Sequence, residues 1–198
     1  MGSIFNFGID FSDKKWYEVV RDIFIFFITY CIAGWIYEEL IFAIEDNIIV
    51  NRGAMFGPWL PIYGVGGIII VMLFYRTKDK KINIGKLNIR PLVLGIETFV
   101  LSTLIELVST YIISFTGGDF KTLWDYSNDF MNFEGRIALI PDIKFGFLAV
   151  FTVYLLQPML IKFTNSDKNI VNIVTIIVFV LFVVDLISRI WLGSNFAG

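Results

Sequence analysis

Long apolar segments separated by short polar stretches constrain the fold of this chain more than any other feature. They are residues 21–44, 59–75, 91–115, 144–163 and 170–193. About twenty apolar residues in an α-helix cross the hydrocarbon core of a bilayer, and a chain inside lipid must satisfy its backbone polar groups internally. The sequence therefore predicts an all-α, polytopic membrane bundle of about five transmembrane helices.

The composition agrees with a membrane protein of one domain. Of the 198 residues, 57% are hydrophobic and 17% are charged, whereas a soluble domain carries about 25% charged residues. Residues 1–20 alternate apolar and polar groups, which is typical of a segment that lies at the bilayer interface. We therefore expect an interfacial segment 1–20, a single transmembrane domain 21–193 and a tail 194–198.

The scarcity of two residue types excludes several classes of chemistry. The sequence has no histidine and one cysteine, Cys31, which excludes histidine bases, histidine-containing triads, intrachain disulfides and thiolate metal clusters. It has no Walker-type glycine loop and no basic face interleaved with aromatic residues. We predict no catalytic residue, no metal site, no cofactor and no nucleic-acid partner.

An irregular hinge, residues 51–67, follows the first apolar segment and holds five glycines and two prolines. Glycine permits backbone angles closed to other residues, and proline removes a backbone donor. At membrane depth, such a backbone must be surrounded by protein or water. Two interpretations stay open: Gly64, Gly66 and Gly67 line a polar pocket, or they allow helices to pack closely.

The distribution of lysine and arginine predicts the orientation of the chain. The N-terminus, the 76–90 loop and the 162–169 turn share one side and hold eleven of the sixteen basic residues. Because basic residues concentrate on the cytoplasmic side, we expect the N-terminus inside and the C-terminus outside. The 76–90 loop would then lie against anionic membrane lipid.

Charged residues from separate segments fall at one predicted depth, in the outer half of the bilayer. A charge at the bilayer centre costs about 3 kcal/mol or more and normally faces protein or water. We therefore expect these side chains to gather in a charged ligand-binding pocket. Its predicted members are Glu38, Arg52, Tyr63, Glu106, Asp125 and Arg136.

Helical spacing adds two expectations about the buried charges. Asp185 and Arg189, spaced i, i+4 with the acid first, predict a structural ion pair that holds the last helix in register. Glu106 shares its helix face with hydroxyl residues three or four positions away. These residues are Ser102, Thr103, Ser109 and Thr110.

The chain resembles the family of small bacterial membrane proteins described as putative ABC transporter permease, type IV (CmpB-like). The resemblance covers about residues 22–160. It is carried by Gly34-Trp35 with Glu38, Asn51-Arg52-Gly53, Gly57-Pro58, Pro61-Ile62-Tyr63-Gly64, Glu97, Glu106, Trp124-Asp125-Tyr126-Ser127 and Gly135-Arg136-Ile137. It implies a transport role in the bacterial cell membrane and a separate ATPase subunit as partner.

Three functional hypotheses follow from these features. The first is a permease or permease-associated subunit that binds a small polar or amphipathic ligand in the charged pocket. The second is a membrane-embedded enzyme that acts on lipid or cell-envelope substrates through its carboxylates and arginines. The third is a membrane sensor or assembly subunit whose charges are structural.

Overall fold

The structure is a computed structural model that describes residues 7–45, 55–122 and 124–192. Its helices are α1 (Trp16–Glu45), α2 (Pro61–Phe74), α3 (Arg90–Phe115), α4 (Leu139–Phe151), α5 (Gln157–Thr164) and α6 (Lys168–Leu192). A π-helical segment, Thr152–Leu156, joins α4 to α5 in one continuous helical run. Sheet is confined, in the described residues, to two antiparallel hairpins, β1 (Asn83–Ile84) with β2 (Leu87–Asn88) and β3 (Asn132–Phe133) with β4 (Ile137–Ala138). The prediction of an all-α membrane bundle is confirmed.

Among the described residues, four helical runs are long and apolar enough to cross a membrane. They are Trp16–Ile44, Arg90–Phe115, Leu139–Thr164 and Lys168–Leu192. The chain is therefore a multi-pass membrane protein.

The second predicted span, residues 59–75, corresponds to the shorter helix α2. Its 14 residues extend about 21 Å, less than the hydrocarbon core of about 30 Å. A 3₁₀ turn, Tyr75–Asp79, continues it and adds about 10 Å. The crossing at α2 stays a prediction.

Two helices begin before the first residue of the corresponding predicted span, and the bounds of the spans themselves stay a prediction. Helix α1 starts at Trp16 instead of residue 21. Helix α4 starts at Leu139 instead of residue 144, because Pro141 fits the first turn of a helix, where no backbone donor is needed. This earlier start places Asp142 within the first turn of α4.

The described chain divides into two compact units. The central unit, Ile70–Leu156, contains α3 and α4, which pack closely on each other. Their backbones nearly touch where Gly146 faces Gly95, so that a Cβ added at Gly146 would lie 2.9 Å from the Gly95 carbonyl oxygen. Small residues at such a crossing are typical of helix pairs in membranes.

The terminal unit combines residues 7–69 with residues 157–192 of the described chain. Its apolar core contains Ile28, Cys31, Met55 and Trp59. Three glycines of this unit allow α1 and α2 to approach, because a Cβ at Gly34, Gly64 or Gly67 would overlap side chains of the facing helix. A Cβ at Gly34 would overlap Tyr63, a Cβ at Gly64 would overlap Cys31 and Phe27, and a Cβ at Gly67 would overlap Tyr30.

Polar side chains connect distant parts of the terminal unit. Gln157 is fully buried and donates from Nε2 to the Phe7 carbonyl oxygen at 2.7 Å, while the Tyr30 hydroxyl donates to its Oε1. Asp22 is also fully buried, between Lys14 Nζ at 2.6 Å and Arg21 Nη2 at 2.8 Å. Paired and hydrogen-bonded in this way, the charge of Asp22 is tolerated inside the protein.

Candidate functional site

Two carboxyl groups from two different membrane-spanning runs meet in the central unit. Glu106 lies on α3, and Asp142, 2% exposed, lies in the first turn of α4. The two carboxyl groups are within hydrogen-bonding reach of each other. No ion pair of either carboxyl group is found among the described residues.

One oxygen of each acid is buried without a hydrogen-bond donor in the described structure: Glu106 Oε2 and Asp142 Oδ1. The Thr103 hydroxyl lies beside Asp142 and also donates to the Phe99 carbonyl oxygen at 2.8 Å. Buried polar atoms nearly always have a partner in proteins. Two such oxygens in neighbouring acids therefore mark this pair as a candidate site.

The loop between α3 and α4 reaches this acid pair through Tyr126. The Tyr126 hydroxyl donates to Glu106 Oε1 at 3.3 Å. Burial, together with the charge of the neighbouring Glu106, raises the pKa of Tyr126, so the phenol remains a donor. The Tyr126 backbone amide in turn donates to the Gly135 carbonyl oxygen at 3.0 Å, which fixes the tyrosine to the β3–β4 hairpin.

The β3–β4 hairpin turns through residues in the left-handed region. Glu134 has φ 54° and Gly135 has φ 68°. A left-handed backbone is unfavourable for glutamate, whereas glycine adopts it readily. Because Gly135 also has no Cβ, it packs against Ser127 and Asp125, where a Cβ would clash. The turn thereby places Arg136 at the C-terminal end of α3.

Arg136 is fixed by contacts of its own, farther along α3 than Glu106. Its guanidinium stacks on the Tyr111 ring at 4.4 Å and on the Phe120 ring at 4.3 Å. Its Nη1 donates to Ser114 Oγ at 3.1 Å. Because Ser114 is eight residues after Glu106, Arg136 binds α3 about 12 Å beyond the acid pair. The predicted sharing of one pocket by Glu106 and Arg136 stays a prediction.

Asp125 lies on the exposed surface of the same loop. It accepts hydrogen bonds from the Ser127 hydroxyl and from the Ser127 backbone amide at 3.0 Å, and it pairs with Lys121 at 3.4 Å. The Ser127 hydrogen bonds, together with the Lys121 charge, lower the pKa of Asp125. These contacts order the loop, and a ligand-binding role for Asp125 stays a prediction.

Two other predicted pocket residues meet each other in the terminal unit. The Tyr63 hydroxyl donates to Glu38 Oε1 at 2.8 Å, and the Tyr63 ring packs 6.1 Å from the Tyr37 ring. Arg52, the remaining predicted pocket residue, lies outside the described residues. A ligand contact by any of these three predicted residues remains a proposal.

Asp185 of α6 binds the backbone of the hinge. Its carboxylate accepts from the Phe56 amide at 3.0 Å and from the Gly57 amide at 2.8 Å. The Arg189 guanidinium lies 5.5 Å from the centre of the Phe56 ring. Asp185 thus supplies an acceptor that the irregular hinge needs, and the predicted ion pair with Arg189 stays a prediction.

Sequence reasoning missed Asp142 and Tyr126 as members of the site. Asp142 lies between the predicted spans 91–115 and 144–163, although Pro141 immediately before it is a signal for the first turn of a helix. Tyr126 was noticed only as an aromatic residue of a loop motif. Its contact with Glu106 spans 20 residues, and no local pattern encodes such a contact.

The arrangement can bind positive charge. A pair of acids without a basic partner attracts a proton or the cationic part of a ligand, since either would remove the repulsion between two carboxylates. The phenol of Tyr126 supplies a neutral donor beside them. No described group of three or more acidic, cysteine or histidine side chains could hold a metal ion.

Comparison with family models shows which family the chain is similar to. A family model described as Putative ABC-transporter type IV matches residues 25–190. No curated protein and no solved structure matches the chain.

Proposed function

Because the chain belongs to the Putative ABC-transporter type IV family, we propose that it is a permease or permease-associated subunit. It binds a small polar or amphipathic ligand in a charged site in the outer half of the bilayer. The membrane is the bacterial cell membrane, with the N-terminus in the cytoplasm and the C-terminus outside. Membrane lipid surrounds the spans.

The observation that carries this proposal is the acid pair of Glu106 and Asp142. Two neighbouring carboxyl groups without a basic partner are unfavourable inside a membrane protein, and such residues usually mark an ion or substrate site. The acidic pair would receive a hydrogen-bond donor or a cationic group of the ligand. Arg136, about two helical turns farther out, would bind a polar or anionic group at the rim.

A separate ATPase subunit is the proposed source of energy. The sequence lacks a Walker-type phosphate loop, so ATP hydrolysis by that route needs another chain. Gentle purification of the tagged protein from its native membrane, followed by mass spectrometry, tests this partner. Recovery of an ATPase in stoichiometric amount is the expected result, and its consistent absence would contradict the partnership.

Native mass spectrometry of the purified protein tests the ligand site. We expect a small molecule to co-purify with the wild type and to be lost in Glu106→Gln, which keeps the side-chain shape but removes the charge. Asp13→Asn, which changes an exposed acid outside the site, is the control and should retain the molecule. Retention in both Glu106→Gln and Arg136→Gln, or no bound molecule in the wild type, would refute the proposed site.

A further inference from the structure

Each acid of the pair has one buried oxygen for which the described parts of the chain provide no hydrogen-bond donor. Ionised carboxyl groups only accept hydrogen bonds, yet Glu106 and Asp142 lie within hydrogen-bonding reach of each other. Glu106 Oε2 and Asp142 Oδ1 are buried and lack a donor among the described residues. With both acids ionised, two negative charges would face each other across this contact.

The surrounding groups do not neutralise the pair. Glu106 faces Asp142 and the Tyr126 hydroxyl, and Asp142 faces Glu106 and the Thr103 hydroxyl. Tyr126 and Thr103 are neutral, and Asp129, the next charged group near Tyr126, is an acid. The positive charge needed at this place must therefore come from outside the described side chains.

The number of groups at the acid pair restricts what can supply that charge. In the part of the chain that the structure describes, no third acidic, cysteine or histidine side chain joins the pair to form a metal-binding group. Metal cations such as Ca²⁺ and Mg²⁺ need about six or more oxygen ligands at distances above about 2 Å. A proton needs only one oxygen from each acid. It turns the contact between the acids into a hydrogen bond with an ionised acceptor, which is stronger than a hydrogen bond between neutral groups.

We propose that Glu106 and Asp142 form a binding site for one proton, held between their two carboxyl groups. The proton converts two facing acceptors into a donor and an acceptor, and it removes one of the two buried charges. This inference rests on the proposed function, to which it adds the proton as the ion that occupies the site when no ligand is bound. A cationic ligand group that enters the pair would release this proton.

Infrared spectroscopy of the ligand-free protein in liposomes tests the site, because a protonated carboxyl group has its own C=O stretching band. Near neutral pH we expect this band in the wild type and its loss in both Glu106→Gln and Asp142→Asn. Each variant replaces one acid by an amide that donates a hydrogen bond, so the remaining acid no longer needs the proton. Loss in both single variants identifies a proton shared by the pair.

Asp119→Asn is the matched control, since Asp119 is an exposed acid of the same unit, and it should keep the band. Two outcomes would overturn the proton site: no band in the wild type, or a band that survives in Asp142→Asn. Circular dichroism and size-exclusion chromatography of each variant establish that it is folded. The measurement uses no ligand, so a wild-type band with no bound molecule would refute the ligand site alone.

Discussion

Arg136 shows how a single charged residue can be held at the end of a membrane helix. Its guanidinium lies against two aromatic rings, and its side chain is 13% exposed. It also bonds Ser114 Oγ and Glu134 Oε2, each at 3.1 Å. These contacts require a planar fork, which lysine lacks.

Arg136→Lys should therefore lower the free energy of unfolding by about 1–2 kcal/mol, the size of a partly desolvated cation–π contact. The midpoint of unfolding in mild detergent measures the change. Arg76→Lys, at an exposed position, is the matched control and should leave the midpoint unchanged. An equal effect of both substitutions would show that the stacked geometry of Arg136 is unimportant.

The lowered pKa of Asp125 predicts that the stability of the loop between α3 and α4 depends on pH. Hydrogen bonds from Ser127 lower the pKa of this acid in the folded protein. The ionised Asp125 therefore stabilises the folded loop fully at pH values above the pKa that Asp125 has in the unfolded chain. That contribution is lost as the pH falls through the lower, folded pKa. We expect hydrogen exchange at the Ser127 amide to accelerate in this acidic range, relative to its intrinsic rate. The Gly135 amide, which donates to Asn132, should show no such step.

At the scale of elements, the packing of α3 on α4 determines where the acid pair forms. The helices approach at Gly95 and Gly146, and the two glycines differ in the space around them. A Cβ at Gly95 would lie 3.8 Å from the Gly146 carbonyl oxygen, an ordinary contact, whereas a Cβ at Gly146 would lie 2.9 Å from the Gly95 oxygen. Backbone atoms cannot move aside as a flexible side chain can.

Gly146→Ala should destabilise the protein by about 1–3 kcal/mol, as overpacking does elsewhere. Gly95→Ala should be neutral within about 0.5 kcal/mol. Thermal unfolding of the two variants in the same detergent tests this difference. A reversed order of the two melting temperatures would mean that α3 and α4 do not cross at this point.

At the scale of the whole molecule, the basic hairpin β1–β2 and the loop that carries Tyr126 are predicted to lie on opposite sides of the membrane. Cys31 is fully buried, so cysteines introduced at exposed loop positions can be labelled in the otherwise native chain. Lys81→Cys should react with a membrane-impermeant maleimide only after the cytoplasmic face is opened. Asp119→Cys should react in intact cells. The opposite pattern would reverse the predicted orientation.

The sequence predicted the apolar helices well, because hydrophobic length alone determines which segments can span a bilayer. It indicates Glu106 as a candidate site residue, since the cost of an acid in the middle of a span can be judged from the segment that contains it. It did not predict which groups the acids contact. Glu38 contacts Tyr63 25 positions away, and Asp142 meets Glu106 because α3 packs on α4. Such contacts depend on tertiary packing.

Gln157 implies an order of events during biosynthesis. Its side-chain amide donates a hydrogen bond to the Phe7 carbonyl oxygen, 150 residues earlier in the chain, and so connects the two segments of the terminal unit. At ribosomal speeds, that interval lasts on the order of 10 s. During this time α1 and its neighbour α2 are already synthesised, but α5 and α6, which also pack on α1, are not, whereas the central unit is complete in sequence before Gln157 emerges. The terminal unit therefore completes its packing only after the central unit has been translated, and until then the surface of α1 that later contacts α5 and α6 must be covered by lipid or by the insertion machinery.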